Sequence, residues 1–252
     1  MVNEFRRLGI LGGMGPLATL DLQQKILAAT PAQRDQDHVP VVVWNVPQIA
    51  DRQHALAGIG PSPLPQLLDA IKGLNQAGVS HIAMPCNTAH YWYDELAAAS
   101  AAPLLHIADI TTQAITQESL RPSTIGLIAT QGTLAADWYQ QRLSLAGIGV
   151  VIPTQDELAQ WFVPGCYAVK RGDIRGGGQL LNLLADKLVS RGAQKLVLAC
   201  TEVPPALEAI SSKHFPDAID PTIVLARTCV KMWQQSQVQI ETDIQQHPKN
   251  KL

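Results

Sequence analysis

The sequence predicts an α/β protein made of two similar doubly wound parallel-sheet domains, related by pseudo-two-fold symmetry, with a ligand site in the cleft between them. Short apolar runs alternate with segments of helical periodicity along all 252 residues. Such alternation is typical of parallel sheets covered by helices. A cysteine follows a short apolar run in each half, and three segments of the first half have counterparts in the second.

The internal repeat appears at three places. Gly9 in an early apolar run matches Gly126, Cys86 matches Cys200, and Asp109 in a helix start matches Asp220. The separations are 117, 114 and 111 residues, in the same order along both halves. Three ordered matches with similar separations indicate one duplicated α/β unit. We expect a first domain over residues 1–112 and a second over residues 113–221.

Composition excludes several classes of protein. Charged residues make up 16% of the chain, apolar residues 46%, the net charge is −2 and the pI is about 6.4. These values predict a well-buried core and give no basic patch for nucleic acid. No apolar run approaches the ~20 residues of a membrane span. The N-terminus lacks the apolar region of a signal peptide, so we expect a cytoplasmic protein without nucleic-acid or membrane partners.

Glycines and prolines mark the boundaries of the strands and helices predicted for the first half. Residues 7–11 predict a strand, and the turn at residues 12–16 offers backbone N–H groups to an anion at a helix start. Pro16 suits the first helical position of a helix that runs to residue 29. A strand at 41–44, a long loop at 45–62 and a helix at 64–77 follow.

The first cysteine strand comes next and ends before Cys86. Asn87 or Thr88 is expected to cap a helix that runs to about residue 100. His90, four residues after the cysteine, is interpreted as structural. A strand over residues 104–107 precedes a helix that opens at residues 109–111.

The second half repeats this order with a strand at 124–129 and another at 150–152. Residues 156–162 predict a helix, residues 164–173 an irregular segment, and residues 176–190 a further helix. The second cysteine strand then leads to Cys200. A last helix is expected over residues 222–237, followed by a polar tail at 247–252. Cys229 is interpreted as a core residue of that helix, and Cys166, without a counterpart, is left out of the chemistry.

The four cysteines form no Cys-x-x-Cys pair, so neither a zinc site nor another metal site is predicted. Cys86 and Cys200 each follow a buried strand, where open α/β sheets place their ligands. If the halves face each other, the two thiols approach a ligand from opposite sides. Inverting a carbon acid needs a base on one face and an acid on the other, and cysteine can act as either.

The groups that would stabilise the developing carbanion lie nearby in sequence. The backbone at Asn87-Thr88 and at Thr201-Glu202 stands at helix starts, where partial positive charge collects. Arg52 and Lys170 are candidate partners of a substrate carboxylate, although each is also interpretable as a surface charge. A reaction of this kind requires no cofactor.

These motifs resemble those of the aspartate/glutamate racemase superfamily, and within it most closely the aspartate racemases. The matching segments are residues 9–16, 85–90, 126–133 and 200–202. The resemblance implies racemisation of an acidic amino acid without pyridoxal phosphate, by a two-base mechanism that uses Cys86 and Cys200. It implies that Arg52 and Lys170 bind carboxylates. The residues implied to line the pocket are Met14, Asn87, Thr88, Thr130, Thr201 and Glu202.

The resemblance also bears on substrate and assembly. Glutamate racemases usually carry histidine after the second Cys-Thr, so Glu202 favours aspartate, with glutamate as the alternative. Gln53 stands where relatives often have threonine, which affects the substrate contacts of that loop. Proteins of this kind are commonly homodimers. In them the last helix often packs back on the first domain, which implies this position for residues 222–252.

Two other functions remain open on the sequence. Within the same superfamily, maleate cis–trans isomerases also use two cysteines, hydantoin racemases share the resemblance, and decarboxylases of malonate derivatives use one. A non-catalytic sensor that closes on a dicarboxylate would use the same cleft. Conversion of maleate to fumarate, or tight binding without proton exchange, would identify these functions.

Overall fold

The computed structural model describes residues 5–117 and 121–246, with side chains as far as residue 238. Its strands are β1 (Leu8–Gly12), β2 (Val41–Asn45), β3 (His81–Ala83), β4 (Thr124–Ala129), β5 (Gly149–Val151) and β6 (Lys195–Ala199). The helices are α1 (Pro16–Ala29), α2 (Arg52–Leu56), α3 (Leu64–Gln76), α4 (Tyr93–Ala99), α5 (Ile107–Gln117), α6 (Gln131–Ala135), α7 (Trp138–Leu145), α8 (Gln155–Glu157), α9 (Val163–Lys170), α10 (Ile174–Ser190), α11 (Val203–Ala209) and α12 (Pro221–Gln246). Short 3-10 segments lie at Asp35–Asp37 and Thr88–Trp92, and a π-helical segment, Leu158–Phe162, joins α8 to α9.

The strands form two three-stranded parallel sheets of matching order, β2-β1-β3 and β5-β4-β6. In the first sheet Gly9 pairs with Ile82, and in the second Gly126 pairs with Leu196. A parallel bridge from residue 82 to Leu104 adds a further segment beside β3, and a bridge from Val197 to Ile219 does the same beside β6. The predicted α/β fold with two similar parallel sheets is confirmed.

The central strand of each sheet is buried, whereas the edge strands β2 and β5 are half-buried to exposed. Every residue of β1 is buried, and so are residues 125–129 of β4. Gly126 allows close packing here, since a Cβ at this position would lie 2.6 Å from Leu196 Cδ2. The central strands are therefore covered on both faces, and the polar residues that follow the strands gather at their carboxyl ends.

The last helix returns to the first sheet. Leu225, Cys229 and Val230 of α12 share a buried cluster with Leu8 and Leu22 of β1 and α1. This packing agrees with the implied position of the C-terminal helix and with a core role for Cys229. The helix continues to Gln246, beyond the expected end near residue 237. The tail at 247–252 lies outside the described residues, and the domain boundaries stay a prediction.

Three predictions about local structure were wrong. The loop at 45–62 contains α2, because the Asp51 carboxylate accepts hydrogen bonds from the N–H groups of Gln53 and His54 and caps it. The segment at 164–173 contains α9, whose first turn holds Pro164, where the missing N–H costs nothing. The expected strand at 104–107 is reduced to the bridge at Leu104, because α5 already begins at Ile107.

The predicted helix after Cys86 is divided into the 3-10 segment at Thr88–Trp92 and α4. Neither expected cap forms. Asn87 has helical backbone angles and its side chain caps nothing. Both polar side chains make contacts elsewhere, in the cleft. Among the described residues, no helix is long and apolar enough to cross a membrane.

Candidate active site

A cleft of about 330 Å³, part of it open to solvent, lies where the carboxyl ends of the two sheets meet. Its lining includes all ten residues predicted for the site, and it adds Asp51 and Gln53. The ten are Met14, Arg52, Cys86, Asn87, Thr88, Thr130, Lys170, Cys200, Thr201 and Glu202. Their assembly from both halves of the chain creates one concave site that contains two thiols.

The loop with Cys86 is held in place by backbone and histidine hydrogen bonds. The Cys86 N–H donates to the Met84 carbonyl oxygen at 2.8 Å, which turns the chain immediately after β3. His90 Nδ1 donates to the Cys86 carbonyl oxygen at 2.8 Å, and its Nε2 accepts from the Ile107 N–H at 3.2 Å. Burial lowers the pKa of His90, so the imidazole stays neutral in these bonds. His90 thus acts as the structural support of the cysteine loop.

The two halves are joined across the cleft by the polar residues that follow Cys86. Thr88 Oγ1 lies 2.9 Å from Thr130 Oγ1. The Tyr139 hydroxyl donates to Asn87 Oδ1 at 2.7 Å. Asn87 Nδ2 is buried and has no hydrogen-bond partner among the described residues. Because a buried N–H group without an acceptor is costly, this amide nitrogen marks a place where an acceptor would bind.

Arg52 is a second donor of this kind. Its side chain is a lining group and not the surface charge that the sequence left open, because the residue is only 8% exposed. Arg52 Nη1 donates to the carbonyl oxygens of Ile49 and Ala50 at 3.1 and 3.0 Å. Its Nε is buried without a partner in the described part of the chain. A cation fixed by backbone carbonyls beside the cleft is suited to a carboxylate ligand.

Cys200 has polar neighbours that Cys86 does not. Its Sγ donates to Glu202 Oε2 at 3.0 Å and lies 3.8 Å from Cys166 Sγ. The hydrogen bond with Cys166, burial, and the Glu202 carboxylate raise the pKa of Cys200 well above its ordinary value. Cys200 is therefore held as a thiol. Cys166, which has no counterpart in the first half, lies on helix α9 where an irregular segment was predicted, and this helix places it against Cys200.

Lys170 supplies positive charge near Cys200. Its Nζ lies 4.0 Å from Glu202 Oε1 and 3.9 Å from Asp51 Oδ2. Burial acts to lower the pKa of Lys170, but the negative charges of Glu202 and Asp51 raise it overall. Burial also acts against ionisation of Asp51, yet the His54 N–H and Lys170 hold its pKa below the usual value. Both side chains are thus charged, and Asp51 also accepts from the Tyr167 hydroxyl at 3.1 Å.

The glycine turn after β1 contributes the side chain of Met14 to the cleft, whereas the N–H group of Gly13 is not free to bind a ligand. Gly13 has φ of 101°, and a Cβ there would lie 2.3 Å from the Val46 backbone. Its N–H donates to Thr19 Oγ1 at 2.9 Å, so this predicted anion donor is already occupied. Met14, the next residue, lines the cleft. The turn therefore presents an apolar wall to the ligand.

Comparison with known proteins places these residues in a family context. The family model described as Asp/Glu/Hydantoin racemase matches residues 11–229. The aspartate racemase of Picrophilus torridus has a similar structure, with a TM-score of 0.79 and 31% sequence identity, covering 90% of this chain and 94% of that one.

Two more relatives extend the comparison. The broad specificity amino-acid racemase RacX of Bacillus subtilis strain 168 is 29% identical over 234 residues, which cover 90% of this chain and 97% of that protein. An aspartate racemase homologue from Pyrococcus horikoshii OT3 has a TM-score of 0.68 at 21% identity, covering 91% of this chain and 99% of that one. The similarity to the Pyrococcus horikoshii protein, at 21% identity, concerns the fold alone.

Proposed function

This chain belongs to the Asp/Glu/hydantoin racemase family and is a racemase, and from that premise we propose its substrate and mechanism. It interconverts L- and D-aspartate, with glutamate as the alternative substrate. No cofactor takes part. Cys86 and Cys200 transfer protons on opposite faces of the α-carbon, and Arg52 and Lys170 bind the carboxylates.

The observation that carries this proposal is the joint lining of one cleft by two thiols and a set of buried donors. Cys86 and Cys200 come from the carboxyl ends of different sheets, as a two-face proton transfer requires. Arg52 Nε and Asn87 Nδ2 are buried donors without partners among the described residues. A dicarboxylate with an α-hydrogen satisfies both features, since its oxygens accept these bonds while its α-carbon lies between the sulfurs.

The reaction requires one thiolate and one thiol. The thiolate takes the α-proton, and the electron pair of the broken C–H bond delocalises into the α-carboxylate, which the cations stabilise. The opposite thiol then gives its proton to the other face of the same carbon. Since surroundings hold Cys200 as a thiol, Cys200 is the acid of the resting enzyme and Cys86 the base. After one turnover the two sulfurs have exchanged protonation states.

Aspartate is preferred to glutamate for two reasons. The Picrophilus torridus relative that is 31% identical is named an aspartate racemase. In addition, Glu202 follows the second Cys-Thr at a position where glutamate racemases usually carry histidine. We further propose, from the family resemblance, that the enzyme is a cytoplasmic homodimer. Light scattering during gel filtration tests the dimer.

The experiment that tests the function follows loss of the α-proton in D2O by NMR, without added cofactor. L-aspartate and D-aspartate are incubated separately with the purified protein. Exchange and racemisation of both enantiomers are expected. No exchange with either, together with conversion of maleate to fumarate, would replace the proposal by cis–trans isomerisation. Tight dicarboxylate binding without any exchange would indicate a sensor.

A further inference from the structure

Tyr139 lies outside the predicted site, yet its hydroxyl contacts Asn87, a residue of that site. This contact determines which way the Asn87 amide points. The residue is on α7, in the half of the chain that carries the second sheet, whereas Asn87 follows β3 of the first. Tyr139 is fully buried, and Asn87 is 3% exposed. Their contact therefore crosses between the halves in a place shielded from water.

The hydrogen bond determines the chemistry that Asn87 offers. An asparagine amide has an acceptor end and a donor end of almost the same shape, and its partner decides which end faces which way. The Tyr139 hydroxyl donates to Oδ1 at 2.7 Å. Burial raises the pKa of Tyr139, so the hydroxyl keeps its proton and remains a donor. With Oδ1 engaged, the NH2 end is the one left without a partner among the described residues.

We propose that Tyr139 is a positioning residue: its hydroxyl binds Asn87 Oδ1 and thereby directs the Asn87 NH2 group to a carboxylate oxygen of the substrate. This inference rests on the proposed function. Asn87 lines the cleft together with Cys86, its NH2 group is the end without a partner among the described residues, and a carboxylate oxygen can only accept hydrogen bonds. An amide turned the other way would present its own oxygen to the carboxylate and repel it.

The contact gains importance during proton abstraction. Charge from the α-carbon then moves into the carboxylate, so a fixed N–H donor binds the carboxylate more strongly in the transition state than in the ground state. A donor fixed beforehand does not need to reorient at that moment. Because the bond comes from the opposite half, it also requires α7 and the Cys86 loop to be correctly placed together.

The main test is Tyr139→Phe, which removes the hydroxyl and keeps the ring. We expect kcat/KM for aspartate to fall about tenfold, as for loss of one buried hydrogen bond at a reacting group, with a rise in KM and a fall in kcat. The matched control is Tyr93→Phe, which removes a hydroxyl that donates to the Leu104 carbonyl at 2.9 Å, away from the cleft. This control is expected to keep kcat/KM within twofold of wild type.

A double-mutant cycle separates positioning from a purely structural role. Asn87→Asp keeps an oxygen that accepts from Tyr139 and replaces the cleft-facing NH2 group by a second oxygen. In that background Tyr139→Phe should lower kcat/KM no more than twofold further, since the group it positions is gone. A full tenfold loss in both backgrounds would mean that Tyr139 acts on the fold and not through Asn87, which would overturn the inference.

A crystal structure of Tyr139→Phe supplies a readout that does not depend on activity. The Asn87 amide is expected to rotate or to take two orientations. An unchanged amide would contradict the inference even if the enzyme were slower. If wild type exchanges no α-proton of aspartate, the proposed function fails while this structural test still decides the role of Tyr139. If wild type is active and Tyr139→Phe equals it, the function stands and the positioning role falls.

Discussion

The two cysteine loops follow corresponding strands, but their surroundings differ. Cys86 lies on a loop held by His90, and no hydrogen bond to its Sγ occurs among the described residues. Cys200 Sγ contacts Glu202 and Cys166, with Lys170 nearby. Duplication thus explains why there are two thiols at equivalent strand ends. The later, unrepeated contacts explain why one of them is held as a thiol.

The largest expected effect comes from removing either sulfur. Cys86→Ser and Cys200→Ser should each lower racemisation by about 1000-fold or more, because a hydroxyl is a far weaker base than a thiolate. Each variant should keep exchange of the α-proton for one enantiomer only, and a different one in each case. NMR in D2O measures this directly. If both variants lost exchange of the α-proton for the same enantiomer, the thiols would not act on opposite faces.

Two glycines, Gly13 in the turn after β1 and Gly149 at the first position of β5, provide a comparison of stability. Gly13→Ala places a Cβ against the Val46 backbone at a φ of 101°, so we expect a loss of about 3 kcal/mol or more in the free energy of unfolding. Gly149→Ala is the control, since its nearest atoms would lie at 3.5 Å. Urea unfolding followed by circular dichroism measures both. Equal stability of the two variants would show that the turn adjusts.

The carboxylate beside Cys200 should affect only the reaction of that thiol. Together with the Cys166 contact and burial, Glu202 raises the pKa of Cys200, so Glu202→Gln should lower it. In a Cys86→Ser background, exchange of the remaining enantiomer depends on the Cys200 thiolate. Below the midpoint of the pH profile, the exchange rate should therefore rise several-fold at fixed pH.

The matched control for this change is Glu157→Gln, whose carboxylate pairs with Arg191 away from the cleft. It should leave the pH profile of exchange unchanged. A profile that stays in place in Glu202→Gln, or moves to higher pH, would show that the carboxylate does not hold the Cys200 proton.

A smaller effect is expected on the stability of the two halves at low pH, where the first half should lose stability before the second. Burial lowers the pKa of His81, His90 and His106, in the last case to about 3, with the neighbouring His90 adding to the effect. The unfolded chain binds these protons near pH 6.5 and the folded chain does not, so stability falls as pH drops from about 6.5 towards 3. Each histidine that stays neutral in the folded chain lowers the free energy of unfolding by up to about 1.4 kcal/mol for each pH unit of acidification in this range.

Urea midpoints at pH 7.5, 6 and 5 measure this slope. His106→Gln should reduce the slope, and hydrogen exchange should show the first sheet opening before the second. The second half carries His214, which pairs with Asp186 at 2.8 Å and lowers the pKa of that carboxyl. A slope that is the same in wild type and variant would show that His106 accepts a proton without cost.

Much of the site was predictable because its signals are local. Cys86 and Cys200 follow short apolar runs, and their neighbours Asn87 and Thr201 are adjacent in the chain. Arg52 and Lys170 were candidates with a surface alternative, and the resemblance to a family favoured their binding role and added Met14 and Thr130. All of these residues line the cleft. Their catalytic roles stay a proposal until the exchange experiments are made.

Other parts could not be read from sequence order. Cys166 has no counterpart in the first half, so the repeat gives no reason to place it beside Cys200. Gly165 and Pro164 are typical of irregular segments, so the sequence does not predict helix α9. Gly165 is instead required for packing, since a Cβ there would lie 3.0 Å from Leu181 Cγ in α10. Tyr139 gave no signal at all, because its partner is 52 residues away.

The chain's own pattern thus established the repeat, the parallel sheets and the placement of two thiols at matching strand ends, because apolar periodicity and short motifs act over a few residues. The tertiary structure established which donors lack partners, which thiol keeps its proton and which way Asn87 points. The contacts of Cys200 with Cys166 and of Asn87 with Tyr139 join residues far apart in the chain. Hydrogen bonds and burial act through such contacts, and sequence order alone does not contain them.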